Sequence, residues 1–263
     1  MKVIILCGGQ GTRIREAGEL KPKPMLEVGS QPILWHILKL YAHFGHKDFV
    51  LACGYLGYQI KQFFLNYHAM VSDFTVSLGD QNSVQIHSDY PEKDWKVTCA
   101  DTGAVTMTGG RVQRAARYLD SGEPFMLTYG DGVGDVDIKA LLAFHKSHGK
   151  IGTITGVRPP GRFGELELTQ GGLIKAFNEK PQVSEGHING GFMVFEHAFV
   201  ERYLNGREDE VLEREPLMRL AQDGELMMFP HAGFWQPMDT LREYQMLNDM
   251  WKSGKAPWKI WKD

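Results

Sequence analysis

The alternation of two hydrophobic periods along the chain constrains its fold more than any other feature of the sequence. Continuous apolar runs such as Val3–Cys7 and Asp48–Cys53 predict buried strands, and they alternate with segments such as Ile33–Phe44, in which apolar residues recur at helical spacing. The alternation continues through strands at 97–101, 124–131 and 152–157 and helices at 109–119 and 137–148. Strands that alternate with helices form βαβ units, so this part of the chain predicts a mostly parallel sheet covered by helices on both faces.

The pattern changes after Phe163. GELEL, GLIKAF and NGGFMVF predict short mixed strands with short connections, and helical spacing returns in EPLMRLAQDG and TLREYQMLNDMWKSG. No glycine- and serine-rich linker and no internal repeat divides the chain. We therefore predict a single α/β domain over residues 1–263, with a mixed, mostly parallel central sheet flanked by helices and two halves at 1–150 and 151–263.

Composition excludes several classes of protein. Lysine and arginine number 29 and aspartate and glutamate 32, a formal charge of −3, so no broad positive field draws the chain to nucleic acid or anionic lipid. Cys7, Cys53 and Cys99 are odd in number and each lies in a strand-like run, which favours reduced core thiols over a disulfide framework or a metal site. No apolar run is long enough to span a membrane and no secretory signal begins the chain, so we expect a cytoplasmic protein with no membrane partner.

A glycine-rich loop follows the first strand, in the segment ILCGGQGTRIREAGELKPKP (residues 5–24). Because Gly8, Gly9 and Gly11 lack a Cβ, their backbone N–H groups can approach a phosphate closely and form an anion cradle. The loop is not a dinucleotide fingerprint, since Ile14 stands where a third glycine is needed, and it is not a Walker loop, since Gly11–Arg13 replaces the Gly-Lys-Ser/Thr end of that motif. It predicts a phosphate site of another kind; the alternative is a glycine turn next to a basic surface loop.

Three cations accompany this loop. Arg13 can contact phosphate oxygens in a bidentate manner, whereas Lys21 and Lys23 are compact point charges. Pro22 and Pro24 hold the lysines in defined positions, because proline restricts its own backbone and that of the preceding residue. The spacing of Gly-Gly-x-Gly-Thr-Arg and Lys-Pro-Lys-Pro therefore favours a triphosphate site over the surface-loop alternative.

The combined motifs resemble those of the sugar-1-phosphate nucleotidylyltransferases, and most closely the glucose-1-phosphate cytidylyltransferases. The resemblance runs nearly end to end, through KPKPM, CGYLGY, DTGAVTMTGGR, TYGDGV, PPGRFGELE, NEKP, INGGF, EREPLMRLA and GFWQPMDTLRE. It implies one α/β domain with a Rossmann-like, nucleotide-binding half at 1–150 and a sugar-phosphate-binding half with a C-terminal helix at 151–263. It also implies transfer of CMP from CTP to α-D-glucose 1-phosphate, giving CDP-glucose and pyrophosphate by in-line attack assisted by Mg²⁺.

The resemblance assigns roles to residues of the first half. It makes Lys23 and Arg13 the catalytic residues, with Lys23 neutralising the α-phosphate. The nucleotide-binding residues that it implies are Leu6, Gly8, Gly9, Gly11, Thr12, Arg13, Lys23, Thr102, Gly103 and Gly110. The choice of cytosine rests on the resemblance, because composition does not distinguish a pyrimidine pocket from a purine pocket.

Two aspartates are the implied ligands of Mg²⁺. Asp131 follows a strand in TYGDGV and Asp239 precedes a helix in FWQPMDT, so each has a structural alternative: a Gly-Asp-Gly turn for Asp131 and a helix N-cap for Asp239. Two carboxylates, with the other positions left to water and phosphate oxygen, suit Mg²⁺. Asp135 and Asp137 are expected to act as acids at a helix N-terminus.

Polar and glycine residues interrupt the strands of the second half in GRFGELE, FNEKP and INGGF. The resemblance makes these motifs the sugar-phosphate site, with the residues Arg162, Gly164, Glu179, Lys180, Asn189 and Gly190. The alternative is an edge hairpin in which Glu179 and Lys180 are solvated.

Several alternatives stay open. Three other functions share part of the pattern: the same reaction type with another nucleoside triphosphate or hexose 1-phosphate, a catalytically silent regulatory homologue, and a glycosyltransferase. A glycosyltransferase has no reason to carry the glycine loop.

The resemblance further implies a homo-oligomer and a role in bacterial O-antigen and deoxysugar biosynthesis. We also predict a surface hairpin within 68–95, surface positions for His145 and His148, and a tryptophan-rich tail clamped to the body or to a neighbouring subunit.

Overall fold

The computed structural model describes residues 1–9, 21–79, 84–158, 165–168, 174–178 and 186–262. Its strands are β1 (Val3–Cys7), β2 (Glu27–Val28), β3 (Gln31–Pro32), β4 (Asp48–Cys53), β5 (Phe74–Val76), β6 (Val84–Ile86), β7 (Lys96–Asp101), β8 (Phe125–Tyr129), β9 (Gly132–Gly134), β10 (Gly152–Val157), β11 (Glu165–Leu168), β12 (Ile174–Asn178), β13 (Ile188–Asn189), β14 (Met193–Phe195), β15 (Leu226–His231) and β16 (Trp235–Pro237). Its helices are α1 (Ile33–His43), α2 (Gly57–Leu65), α3 (Tyr67–Val71), α4 (Thr108–Ala115), α5 (Ile138–His148), α6 (Ala198–Tyr203), α7 (Glu215–Gln222) and α8 (Leu241–Lys252). In the part of the chain that is described, no helix has both the length and the apolar character needed to cross a membrane.

Strand β1 lies within the parallel part of the main sheet and determines where a ligand crevice can form. It pairs in parallel with β4 on one side and with β8 on the other, and β7 extends the parallel part beyond β4. All five residues of β1 are buried, which explains its continuous apolar sequence, since a parallel sheet is covered on both faces. The chain leaves β1 toward β4 and returns on the opposite side as β8, so a crevice opens at the carboxyl ends of β1 and β8.

The second half of the chain extends the same sheet with antiparallel strands. β14 pairs antiparallel with both β8 and β10, and β15 pairs in parallel with the other edge of β10. β13 follows the same edge of β10 as β14, and the interruption between them contains Gly191 and Phe192, both at positive φ. The structure therefore confirms the predicted mixed, mostly parallel central sheet flanked by helices.

Two hydrophobic cores lie on opposite faces of this sheet. Successive residues of β1 alternate between them, so Val3 packs into one core and Ile4 into the other. The first core also contains Trp258 from the C-terminal tail, and the second contains Phe195 of β14. Each core thus combines residues from both predicted halves of the chain.

Several predicted elements have the expected boundaries. The predictions for β1, β4 and β10 match residue for residue, because each strand is a short apolar run, and α1 ends one residue before the predicted Phe44. The helix predicted at 109–119 is α4 followed by a 3₁₀ turn at Ala116–Tyr118. Within 68–95, β5 and β6 form an exposed antiparallel pair, which confirms the surface hairpin; residues 80–83 lie outside the described part.

The prediction of surface positions for His145 and His148 is wrong for His145, which is 1% exposed. Helix α5 packs against β10, and the hydroxyl of Thr153 on that strand hydrogen-bonds with both imidazoles. Burial lowers the pKa of His145, although Glu196 lies within hydrogen-bond distance of its Nε2. The helical spacing of the two histidines did not reveal this, because it says nothing about which strand lies beneath them.

The acids that follow β9 have different roles. Asp137 caps α5 as predicted, since its carboxylate accepts a hydrogen bond of 2.9 Å from the backbone N–H of Ala140. Asp135 does not lie at the helix N-terminus, contrary to the prediction. Its backbone N–H continues the β9–β16 pairing by donating to Phe234, which brings its carboxylate to 3.1 Å from Nε2 of His231.

The three cysteines are free thiols that lie on neighbouring strands. Parallel pairing puts Cys7 next to Cys53, and β4 in turn pairs with β7, which carries Cys99. Burial raises the pKa of Cys7, which favours the neutral thiol. Their separation along the chain did not predict this proximity, because it results from the order of β1, β4 and β7 in the sheet.

The C-terminal tail is anchored to the body through aromatic packing around His36 of α1. Trp258 is 1% exposed and donates from Nε1 to Nδ1 of His36 at 3.3 Å. The other imidazole nitrogen, Nε2, lies 2.8 Å from the carbonyl of Val28, so it carries the proton and the ring is neutral. Burial lowers the pKa of His36 to about 4.

This buried histidine predicts a loss of stability in acid. The pKa of His36 is lower in the folded chain than in the unfolded chain, so its contribution is complete above pH 6.5 and is lost as the pH falls toward 4. From pH 7 to pH 5, His36 alone should lower the free energy of unfolding by about 2 kcal/mol. Chemical denaturation at both pH values should show a smaller pH-dependent loss in His36→Gln than in the wild type. Equal losses in the two proteins would contradict this.

Candidate active site

The predicted phosphate loop begins at the crevice between β1 and β8. Gly8 and Gly9 follow β1 directly, and Gly130 and Asp131 follow β8. The two strands run in parallel, so these short segments leave the sheet at the same edge. A Cβ at Gly130 would come within 2.8 Å of the carbonyl oxygen of Leu6, so the close approach of the two segments requires glycine there.

A cavity of about 340 Å³ opens at this edge. Its lining combines the ends of both strands with the loop and first turn of α4, through Leu6, Gly8, Gly9, Ala104, Val105, Thr106, Met107, Thr108, Arg111, Tyr129 and Asp131. Four residues predicted from the sequence, Leu6, Gly8, Gly9 and Asp131, therefore share one cavity.

Arg111 holds the two walls of the cavity together. Its Nη2 donates to the carbonyl of Gly8 at 2.9 Å, and its Nη1 donates to the carbonyl of Gly103 and the hydroxyl of Thr102, each at 2.8 Å. The side chain is buried, and a Cβ at Gly8 would overlap the guanidinium group. Burial lowers the pKa of Arg111, but a guanidinium stays protonated, and these oxygens satisfy its donors. Arg111 ends the motif DTGAVTMTGGR, and nothing in that motif alone indicates its role.

The other predicted nucleotide-binding residues of this region, Thr102, Gly103 and Gly110, lie next to the cavity and do not line it. Thr102 is fully buried and its hydroxyl donates to the carbonyl of Cys53 at 2.7 Å. Gly103 has φ +89°, a conformation that favours glycine, and presents its carbonyl to Arg111. Gly110 lies within α4, where a Cβ would meet the backbone carbonyl of Arg207, so packing explains its small size. The structure places none of the three in the cavity lining.

Lys23, Asp131 and Asp239 meet at the mouth of the crevice. Nζ of Lys23 lies 2.7 Å from Oδ2 of Asp131 and also donates to Oδ1 of Asp239. Lys23 begins a 3₁₀ turn between Pro22 and the buried Pro24, which fixes its backbone. Three segments that are distant in the sequence therefore bring two carboxylates and one ammonium group together.

Helix capping does not account for Asp239. The N-cap of α8 is Thr240, whose hydroxyl accepts from the backbone N–H of Glu243, while the carboxylate of Glu243 accepts from the backbone N–H groups of Asp239 and Thr240. This capping box leaves the carboxylate of Asp239 available for Lys23.

The same two carboxylates are suited to a divalent cation. Burial alone would lower the pKa of Lys23, but the charges and hydrogen bonds of Asp131 and Asp239 outweigh burial and raise it, so the group is an ammonium ion. The ammonium group of Lys23 is thus itself a cation bound by one carboxylate oxygen from each aspartate. Two carboxylates are a typical protein contribution to a Mg²⁺ site, in which water and phosphate supply the other ligands. The described residues contain no group of three or more His, Cys, Asp or Glu with metal-binding geometry.

A second polar cluster connects the cavity to the other half of the chain. The hydroxyl of Tyr129 donates to Glu213 at 2.6 Å and accepts from the side chain of Asn189 at 3.1 Å. The other carboxylate oxygen of Glu213 accepts from the hydroxyl of Thr108 at 2.7 Å. Asn189, predicted for the sugar-phosphate site, is thus linked to two residues of the cavity lining. Its neighbour Gly190 accepts from Nε1 of Trp235 at 2.7 Å through its backbone carbonyl.

Seven predicted residues lie outside the described part of the chain: Gly11, Thr12 and Arg13 of the phosphate loop, and Arg162, Gly164, Glu179 and Lys180 of the sugar-phosphate motifs. Their roles stay predictions. Arg111, Thr106, Thr108, Tyr129 and Glu213 were missed by sequence reasoning. Of these residues, Tyr129 is the one that the sequence could have indicated, because it directly precedes Gly130 and the predicted metal ligand Asp131.

A larger cavity of about 480 Å³ lies elsewhere, along the edge strand β7. Aromatic residues such as Tyr67, Tyr90 and Trp95 line it. Its described lining includes none of the predicted site residues, and it lies away from the carboxyl ends of β1 and β8. We therefore assign the active site to the smaller cavity, where strand order and charge coincide.

Comparison with known proteins identifies the family of this chain. A family profile described as nucleotidyl transferase matches residues 2–248. A curated glucose-1-phosphate cytidylyltransferase from Salmonella typhi is 51% identical over 261 residues, which cover 99% of this chain and 100% of the relative. A mannose-1-phosphate guanylyltransferase catalytic subunit beta from Dictyostelium discoideum is 32% identical over 92% of this chain and 63% of its own length.

The fold is shared more widely than the sequence. The crystal structure of HddC from Yersinia pseudotuberculosis has a TM-score of 0.64 at 20% identity, covering 95% of this chain and 99% of that one. The family match and the identity to the Salmonella relative both extend over nearly the whole chain. The chain therefore belongs to the nucleotidyl transferase family and, within it, to the glucose-1-phosphate cytidylyltransferases.

Proposed function

We propose that the protein transfers CMP from CTP to α-D-glucose 1-phosphate and releases pyrophosphate. The observation that carries this proposal is the convergence of Lys23 with Asp131 and Asp239 beside a cavity whose lining includes Gly8, Gly9 and Asp131. An ammonium group next to backbone N–H groups can neutralise a phosphate, and two carboxylates can hold the metal ion that accompanies it. The name and high identity of the Salmonella relative support the choice of CTP and glucose 1-phosphate.

In this reaction a phosphate oxygen of the sugar attacks the α-phosphorus of CTP in line, forming the new P–O bond as the bond to pyrophosphate breaks. The chain acts by positioning and by charge neutralisation, and no covalent intermediate with the protein is needed. Backbone N–H groups of the glycine loop and Arg13 hold the β- and γ-phosphates. Lys23 stabilises the negative charge that develops at the α-phosphate.

Magnesium completes the site in this proposal. Asp131 and Asp239 would hold the ion, which when bound neutralises phosphate charge and orients the triphosphate. The two carboxylates belong to different segments: Asp131 follows β8 and Asp239 precedes α8. The backbone of each aspartate is therefore held in place by a different element of the fold.

The two substrates are proposed to meet at the Tyr129 cluster. The loop before α4 is held by Arg111. Its backbone groups, with the hydroxyls of Thr106 and Thr108, would contact the base and ribose. Asn189 and Gly190, together with Glu179 and Lys180, would bind the sugar phosphate. The hydrogen bonds from Asn189 through Tyr129 to Glu213 connect these two regions.

The cellular setting is part of the same proposal. Free thiols and a nucleoside triphosphate substrate fit the cytoplasm. The product CDP-glucose would enter deoxysugar synthesis for bacterial O-antigen. A homo-oligomer is also proposed, with the β5–β6 hairpin and the tail as the surfaces to test first.

Pyrophosphate release tests the reaction directly. Purified protein with Mg²⁺ and glucose 1-phosphate should release pyrophosphate with CTP and much more slowly with UTP, dTTP, GTP or ATP. Faster release with another nucleotide would reassign the substrate. No release with any nucleotide or hexose 1-phosphate would favour a catalytically silent homologue.

Removal of the ammonium group should impair chemistry. Lys23→Met should lower turnover on the order of 10²-fold or more, by analogy with the loss of one transition-state donor. Lys39→Met is a matched control, because Lys39 is also largely buried and pairs with a carboxylate, Glu92, outside the cavity. Steady-state kinetics that place Lys23→Met within a factor of about three of the wild type would refute the role.

Removal of the buried guanidinium should impair nucleotide binding. Arg111→Met leaves the carbonyls of Gly8 and Gly103 without their donor, so CTP should bind about tenfold more weakly or worse. Arg117→Met, an exposed position in the adjacent 3₁₀ turn, serves as the control. Calorimetric titration with CTP measures the effect. Equal affinities in both variants would show that the walls of the cavity do not need Arg111.

A further inference from the structure

The ammonium group of Lys23 occupies the place between two carboxylates that a metal ion would need. Nζ contacts Oδ2 of Asp131 at 2.7 Å and also donates to Asp239, and the lysine side chain is only 14% exposed. Both carboxylates therefore already share a cation, and that cation belongs to the chain. A divalent ion that bridges the same two oxygens must first displace it.

Displacement is unfavourable in the absence of nucleotide. Burial disfavours a charged amine, and the two carboxylates are the groups that compensate for it. If a metal ion took the carboxylates, the ammonium would be left beside a second positive charge in a largely buried position. A triphosphate removes this penalty, because its oxygens offer the ammonium new charged acceptors and give the metal ion further ligands.

The geometry allows such an exchange without a movement of the fold. Pro22 and Pro24 fix the backbone on either side of Lys23, and Pro24 and Met25 are buried. The lysine side chain is a flexible four-carbon stem, so Nζ can change partners while its Cα stays in place. Asp131 lines the same cavity as Gly8 and Gly9, so a phosphate bound to those glycines lies beside one of the two carboxylates that hold Lys23.

We propose that Lys23 closes the metal site of the free enzyme, and that a divalent ion enters only together with the nucleoside triphosphate. This inference rests on the proposed function. It makes Lys23 the group that exchanges carboxylate partners for phosphate partners when the triphosphate binds.

Mn²⁺ binding to the full chain tests the inference, with water-proton relaxation as the readout of protein-bound ion. The wild type without nucleotide should bind Mn²⁺ weakly, and Lys23→Gln should bind one ion at least roughly tenfold more tightly. Addition of α,β-methylene CTP, which cannot be cleaved at the reacting bond, should raise the Mn²⁺ affinity of the wild type far more than that of the variant.

Two controls separate this effect from a general loss of charge. Lys39→Gln also leaves a buried carboxylate, Glu92, without its lysine, and it should not create an Mn²⁺ site. Adding Asp239→Asn to Lys23→Gln should abolish the new site, because one of its two carboxylates is then missing. Thermal melts of each variant establish that the protein is folded.

The outcomes distinguish the two proposals. Tight binding of one Mn²⁺ by the nucleotide-free wild type overturns this inference and leaves the proposed function intact; this arm does not depend on whether any variant folds. Equal, weak binding by folded Lys23→Gln and wild type, with tight binding once the analogue is added, also overturns the inference alone. Absence of protein-bound Mn²⁺ in every protein, with and without the analogue, overturns both the inference and the metal site of the proposed function.

Discussion

The parallel pairing of β1 with β4 on one side and β8 on the other is the constraint on which the site depends. This order makes the chain leave the sheet in opposite directions from neighbouring strand ends, so a crevice opens where Gly8 and Asp131 emerge. The burial of β1 on both faces fixes the register of these ends. Loops with small residues can then carry the chemistry, because the sheet beneath them supplies the rigidity.

Charge is concentrated at this crevice although the chain as a whole is slightly acidic. A buried arginine joins the walls of the cavity through neutral oxygens, while Lys23 at its mouth is held by two carboxylates. The hydrogen bonds of Arg111 are permanent parts of the fold, because removing Arg111 leaves carbonyls without donors. The ion pairs of Lys23 can exchange, because phosphate oxygens can bind its ammonium group when the two carboxylates bind a metal ion. The proposed reaction uses both kinds of contact.

Sequence reasoning succeeded where a local signal determines structure. Buried parallel strands such as β1 and β10 are short apolar runs, and the resemblance carried Lys23, Asp131 and Asp239 to positions that the fold brings together. It failed where partners come from distant segments. Nothing near Arg111 indicates that the segments after β1 and β7 converge on it, and the spacing of His145 and His148 does not reveal Thr153 beneath them. The capping alternative for Asp239 was locally reasonable, but Thr240 and Glu243 fill that role.

In the proposed reaction, Asp131 and Asp239 share a metal ion with the triphosphate while Lys23 contacts the α-phosphate. The most direct measurement is a crystal structure with Mn²⁺ and α,β-methylene CTP, in which anomalous scattering locates the ion. We expect one anomalous peak at an ion bound by both aspartates and by phosphate oxygen, with Nζ of Lys23 on the α-phosphate. An ion bound away from these aspartates, or a triphosphate outside the Gly8–Gly9 cavity, would contradict it.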